Sequence, residues 1–171
     1  LKGNEKVAIV GANGTGKTTL LREIFKNKNS AITIGEDVKV GFLSQIHGEM
    51  LDESKTVYEE FENLGFENKA DIQEYLKGYC FEEDTLNNKI GMLSGGEQNL
   101  LQLAKIAVSG SDLLLLDEPT SHLDTYSQIA LEKAISEYKG AVLMVSHDFY
   151  NIVNCADYVL FVDDKSIRRM R

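Results

Sequence analysis

The stretch that constrains this chain most is Gly11-Ala12-Asn13-Gly14-Thr15-Gly16-Lys17-Thr18, set between an apolar run, Val7–Val10, and a helix-like segment from Thr19 to Lys26. Three glycines let the backbone curl with its N–H groups turned inward, because they lack the Cβ that blocks those dihedrals. The loop delivers the chain to a helix N-terminus, where unpaired N–H groups and the positive end of the helix dipole favour an anion. The spacing G-x-x-x-x-G-K-[ST] reads as a phosphate-binding loop. Lys17 reaches the outer phosphates as a point charge, and the Thr18 hydroxyl is placed to ligate Mg²⁺. Gly11, Asn13, Gly14, Thr15, Gly16 and Thr19 complete the candidate nucleotide cradle. A glycine-rich turn that matched by accident would not also have a strand before it and a helix after it.

Four short, nearly continuous apolar runs, Val7–Val10, Leu113–Leu116, Val142–Val145 and Val159–Val162, read as parallel strands covered on both faces. Helical stretches at about 17–26, 96–108, 126–138 and 148–154 fall between them, so the class is α/β. Residues 31–43 are β-rich and punctuated by glycine, with Val38–Leu43 the clearest strand. Tyr58, Phe61, Ile72, Tyr75, Leu76 and Tyr79 recur at helical spacing among acidic residues, which predicts a helical lobe inserted over about 52–92. Within it Glu59, Glu60 and Glu62 read as a solvated helix face. A length of 171 residues suits one domain, 1–171, and the opening at Leu1 reads as a piece of a larger protein. The net charge of −9 argues against a general nucleic-acid or anionic-membrane binder acting alone. No apolar run nears the roughly 20 residues that span a bilayer. Cys80 and Cys155 lack metal-ligand spacing and read as reduced thiols of a cytoplasmic protein.

Three further stretches carry chemistry. Leu113–Leu116 runs into Asp117 and Glu118, so a buried strand ends in two carboxylates. Asp117 is placed to hold Mg²⁺ through its water shell, and Glu118 to face a γ-phosphate and polarise the attacking water. A solvated acidic strand end is the plainer alternative for this pair. Pro119 biases Glu118 away from helical dihedrals and sharpens the turn. Ser94-Gly95-Gly96-Glu97 opens a helix, with Ser94 as N-cap and Glu97 completing a capping box. Capping leaves the two glycines unexplained; a close backbone approach to a phosphate explains them, which makes a second anion site, serving the nucleotide of a partner domain. Ser146-His147-Asp148 follows the Val142–Val145 strand and brings an imidazole to the same sheet edge. As part of this set His147 reads as a γ-phosphate sensor; alone it would read as structural.

In order and over nearly the whole chain, these motifs resemble the ATP-binding-cassette (ABC) ATPases: the phosphate loop, Gln45, the Leu93–Glu97 signature, Asp117-Glu118-Pro119-Thr120, Ser121-His122-Leu123-Asp124 and His147. The resemblance implies the P-loop NTPase fold, a mainly parallel sheet flanked by helices with a small β-lobe and an inserted helical lobe. It implies Mg²⁺-dependent ATP hydrolysis by a head-to-tail pair of cassettes, from one polypeptide or a homodimer, with two ATP molecules sandwiched between them. Each nucleotide would lie between the phosphate loop of one cassette and the Ser94–Glu97 stretch of the other. By the same resemblance Gln45 contacts Mg²⁺ and the attacking water, Asp124 lies across the dimer seam, and His147 meets the γ-phosphate. ATP as the nucleotide is also carried by resemblance, since the family's adenine-stacking aromatic lies upstream of the phosphate loop.

Only 28 positions separate Lys17 from Gln45, which is short for a transporter subunit and resembles the ABC-F branch of soluble tandem ATPases that act on the ribosome. His122 and the aromatic residues after His147 match that branch, whereas Ser121 departs from its usual asparagine. The 49 positions from Gln45 to Ser94 leave little room for the arm of many first cassettes, so the chain resembles a second one. The implied roles are translation factor or antibiotic-resistance ribosomal protection. Two alternatives stand beside them: the nucleotide-binding subunit of a membrane transporter, and a non-catalytic ATP-gated interaction module. An isolated cassette is expected to be weakly active or inactive. His47 reads as a surface residue, and Arg168, Arg169 and Arg171 as a basic tail.

Overall fold

The computed structural model describes residues 1–44, 51–121, 123–163 and 166–170. Gln45, His47, His122 and Arg171 lie outside the described residues. Among the described residues six strands form one sheet: β1 (Lys6–Val10), β2 (Val40–Ser44), β3 (Leu113–Asp117), β4 (Ala141–Val145), β5 (Tyr158–Asp163) and β6 (Ser166–Met170), in the order β2-β3-β4-β1-β5-β6. All neighbours run parallel except β5 and β6. The helices are α1 (Lys17–Lys26), α2 (Val57–Phe61), α3 (Lys69–Lys77), α4 (Glu83–Leu86), α5 (Gly95–Val108), α6 (Thr125–Glu137) and α7 (Phe149–Cys155), with a 3₁₀ turn at Ile90–Met92.

The continuous apolar runs make sense because each strand feeds two cores. Successive side chains point to opposite faces of a sheet. Val7, Ile9, Leu115, Leu143 and Val145 therefore pack with Phe42 and Leu21 on the face that α1 covers. Ala8, Leu114, Leu116, Val142 and Met144 point the other way, into a core shared with Leu101, Leu103, Leu131 and Ile135 of α5 and α6. An alternating polar strand could not satisfy both sides.

Residues 57–92 form the helices over α5. Thr56 and Asn68 cap α2 and α3 by accepting from Glu59 N and Asp71 N. Phe61, Phe66 and Tyr75 pack ring on ring, with centroids 5.3–6.4 Å apart. The Tyr75 hydroxyl donates to the Ala104 carbonyl at 2.7 Å, fastening α3 to α5. Burial drives the Tyr75 phenol well above its ordinary range, so it remains a donor. Glu60 corrects the expectation of a solvated face: it is buried and pairs with Lys105 of α5, while Lys55 Nζ lies 3.9 Å from its other oxygen.

Two other expectations change. The β-rich stretch 31–43 contributes one strand, β2, and that strand belongs to the main sheet; among the described residues no separate β-lobe forms there. Local turn bonds win upstream of it, with Ala31 N donating to Asn29 Oδ1 and Val38 N to the Gly35 carbonyl. Arg168 and Arg169 are not a tail but part of the edge strand β6, and the Arg169 guanidinium sits 3.7 Å from the Tyr158 ring centroid. Both cysteines are free thiols. Among the described residues no helix is long and apolar enough to cross a membrane.

Candidate functional site

β1 runs between β4 and β5, so the loop that follows it emerges at the middle of the sheet's C-terminal edge, where ligands of open α/β sheets bind. Gly14 and Gly16 adopt left-handed conformations, with φ of 83° and 86°, that only glycine takes without strain. Gly16 is the N-cap of α1, and no side chain caps that helix start. Its first amides are therefore available to an anion. Thr15 folds back onto the loop, its hydroxyl donating to the Ala12 carbonyl at 2.9 Å. The Lys17 ammonium lies over the loop, donating to the carbonyls of Gly11 at 2.9 Å and Ala12 at 2.8 Å.

β3 and β4 bring the other groups to the same edge. Asp117, the last residue of β3, accepts a hydrogen bond from the Thr18 hydroxyl at 2.9 Å, so the two candidate Mg²⁺ ligands are already paired. Among the described residues no cluster of three or more His, Cys, Asp or Glu could hold a metal. A hydroxyl and one carboxylate fit Mg²⁺ instead, which keeps several waters and takes its remaining oxygens from a bound phosphate. Gln45 follows Ser44, the register partner of Asp117.

Glu118 adopts φ of 50°, a left-handed conformation uncommon outside glycine. Pro119 does keep it out of the right-handed helical region, but a sheet contact selects the alternative: Glu118 N donates to the Val145 carbonyl at 2.9 Å. That turn points the carboxylate at residue 147. His147 Nε2 lies 3.2 Å from Glu118 Oε1, and His147 N donates to Oε2 at 3.3 Å. Ser146 and Asp148 are scaffolding. Ser146 is buried and accepts from Asp148 N, while Asp148 caps α7 and accepts from Gln128 of α6.

A cavity of about 350 Å³ is lined by Asn13, Gly14, Gly16, Lys17, Thr18 and Thr19 of the loop together with Glu118, Val145 and His147. Ser94, Gly95, Gly96 and Glu97 do not line it. They form the start of α5, where the Ser94 hydroxyl accepts from Glu97 N at 3.2 Å and Ser94 N donates to Glu97 Oε2 at 2.7 Å. Gly95 faces open space. Gly96 is different: a Cβ on it would collide with the Ser127 hydroxyl and lie 2.7 Å from Ser127 Cβ. Close packing inside the chain is sufficient by itself to require glycine at position 96. Asp124 caps α6, accepting from Ser127 N at 3.0 Å and Ser127 Oγ at 2.8 Å, and these bonds hold its carboxyl below the usual range. Ser127 was absent from the sequence-derived set. The three-residue step from Asp124 is an N-cap signal that could have found it.

The sequence pattern of the ABC transporter family matches residues 1–121. ABC transporter F family member 5 of Arabidopsis thaliana is 42% identical over 165 residues, covering 94% of this chain and 24% of that protein. The energy-dependent translational throttle protein EttA of Escherichia coli K12 is 36% identical over 168 residues, covering 93% of this chain and 30% of its own length. The chain thus spans about a quarter to a third of the curated relatives it matches. The dimeric post-hydrolysis structure of the ATP-binding cassette MJ0796, bound to ADP and Pi, superposes with a TM-score of 0.72 at 25% identity, over 100% of this chain and 88% of that one.

Proposed function

The chain belongs to the ABC transporter family, and from that premise we propose that it binds and hydrolyses ATP as one cassette of a nucleotide sandwich, in an ABC-F-type tandem protein acting in the cytoplasm on the ribosome. The observation that carries this reading is the composition of one cavity: loop residues, Glu118 and His147 line it, and the Ser94–Glu97 turn does not. A second cassette supplies that turn to the nucleotide held here, and this chain's own turn serves the partner's nucleotide. The kinship with F-type proteins and a named translational throttle supports the ribosome over a membrane complex.

The loop amides and Lys17 hold the phosphates and spread the charge that develops on them. Thr18 would hold Mg²⁺ directly and Asp117 through a water shell, with Gln45 as the third candidate, and the ion would supply neutralisation of phosphate charge there. Glu118 orients water for in-line attack and accepts its proton, while His147, bonded to Glu118, contacts the γ-phosphate and fixes the carboxylate. Such general-base assistance contributes about 10²–10⁴-fold, or roughly 3–5 kcal/mol of barrier. Glu118→Gln is therefore expected to bind ATP, turn over about 10²–10⁴-fold more slowly and accumulate the closed form.

The test is co-sedimentation of the full-length parent protein carrying Glu118→Gln, with and without ATP, against ribosomes and against membranes. ATP-dependent recovery with ribosomes supports the proposal. Recovery with membranes assigns the chain to the transporter branch, and unimpaired turnover by Glu118→Gln removes the glutamate from its role.

A further inference from the structure

Gly95 and Gly96, adjacent in sequence, have opposite surroundings. Among the described residues, nothing beyond its chain neighbours and its own helix backbone would lie within 4 Å of a Cβ on Gly95, whereas a Cβ on Gly96 would collide with Ser127 Oγ, lie 2.7 Å from Ser127 Cβ and 3.3 Å from Asp124 Oδ2. The first turn of α5 thus rests on the first turn of α6 through the Ser127 side chain, with no side chain of its own at position 96. Ser127 is 2% exposed, so it has no free side on which to yield. Its two donors are both spent on one carboxylate: Oγ to Asp124 Oδ2 at 2.8 Å and N to Asp124 Oδ1 at 3.0 Å.

We infer that Ser127 is a positioning residue that locks the Ser94–Gly96 turn to Asp124, so that the surface offered to the partner's nucleotide and the seam aspartate move as one body when two cassettes close. The inference rests on the sandwich reading above. Its logic is steric and polar at once. The residue at 127 must be small enough for the Gly96 backbone to touch it, and it must carry a donor for the second oxygen of Asp124. Alanine meets the first requirement and fails the second; valine fails both; glycine leaves room for a Cβ at position 96. Closely packed groups of this kind transmit displacement rather than absorb it, because native packing leaves no slack.

The experiment uses the full-length parent protein and reads ATP turnover, KM and the affinity for a fluorescent ATP analogue. Ser127→Val is expected to lower kcat by about tenfold or more, since an ångström of misplacement can cost about a hundredfold, with nucleotide affinity at the Lys17 loop within about twofold. Ser127→Ala, which adds no volume and keeps the fold, is expected to lose less, about two- to fivefold. Gly96→Ala is expected to lose about tenfold or more, and adding Ser127→Gly is expected to recover at least about threefold of that loss. Destabilisation lowers the fraction of protein that binds nucleotide, whereas lost positioning lowers turnover per binding cassette, so kcat is referred to the stoichiometry of analogue binding. Unchanged kcat in both Ser127→Val and Ser127→Ala overturns the inference, as does a folded Gly96→Ala/Ser127→Gly pair no more active than Gly96→Ala. In the Glu118→Gln background, ATP-driven closure that Ser127→Val leaves intact sinks this inference alone. Failure of Glu118→Gln itself to close removes the sandwich reading, and this inference with it.

Discussion

Lys17 is the residue on which the proposed capture of nucleotide turns. Its ammonium is held by the carbonyls of Gly11 and Ala12, and it lines the same cavity as Glu118 and His147. A hydrogen bond to a charged group is worth about 1.5–3 kcal/mol, so Lys17→Ala is expected to weaken ATP binding by about 10–100-fold. Arginine is not an equivalent, because its planar fork does not present a compact point charge. Titration with a fluorescent ATP analogue decides the matter, and unchanged affinity would contradict the loop assignment. At this scale the candidate site was legible wherever chemistry follows local spacing: the loop, the paired carboxylates after Leu116 and the Ser94–Glu97 capping box. What could not be read depends on distant partners. The left-handed turn of Glu118 needs the carbonyl of Val145 on the neighbouring strand. The close approach at Gly96 needs Ser127, 31 positions away in the chain.

Among the contacts that join the helices of residues 57–92 to α5 are two of different kinds, the Tyr75 hydroxyl on the Ala104 carbonyl and the Glu60–Lys105 ion pair. The side chain of Glu60 is only 4% exposed, which makes its ion pair costly to break. Removing one partner of a buried pair costs about 3–5 kcal/mol because the other charge is left uncompensated, while replacing both with apolar groups is close to neutral. Lys105→Met is expected to fall toward the lower part of that range, because Lys55 lies 3.9 Å from the second Glu60 oxygen. The double variant Lys105→Met/Glu60→Met is expected to recover most of the loss. Urea unfolding of the cassette checks both; equal stability of Lys105→Met and the parent sequence would show that the pair contributes nothing. Hydrophobic pattern alone could not reveal this pair, since a buried glutamate in an acidic helix looks like its solvated neighbours. It could not reveal β6 either. An edge strand is held through backbone bonds on one side, so Arg168 and Arg169 can occupy it without an apolar period. The central strands were legible for the opposite reason: covered on both faces, they must be apolar throughout.

At the scale of the molecule, the sheet order places the ends of β3, β4 and β1 side by side, so residues far apart in sequence share one edge. That edge gathers the loop amides, a lysine, a Mg²⁺-compatible pair and a carboxylate bonded to a histidine, and in the proposed sandwich another cassette covers the nucleotide from the far side. The sandwich depends on that second cassette closing over the nucleotide. The most direct measurement is the distance between fluorescent labels on the two cassettes of the full-length parent protein carrying Glu118→Gln, followed as ATP and Mg²⁺ are added. A shortening that saturates with ATP, persists without hydrolysis and needs about 10–100-fold more ATP in Lys17→Ala is the predicted result. A distance that does not change at saturating nucleotide would contradict the account.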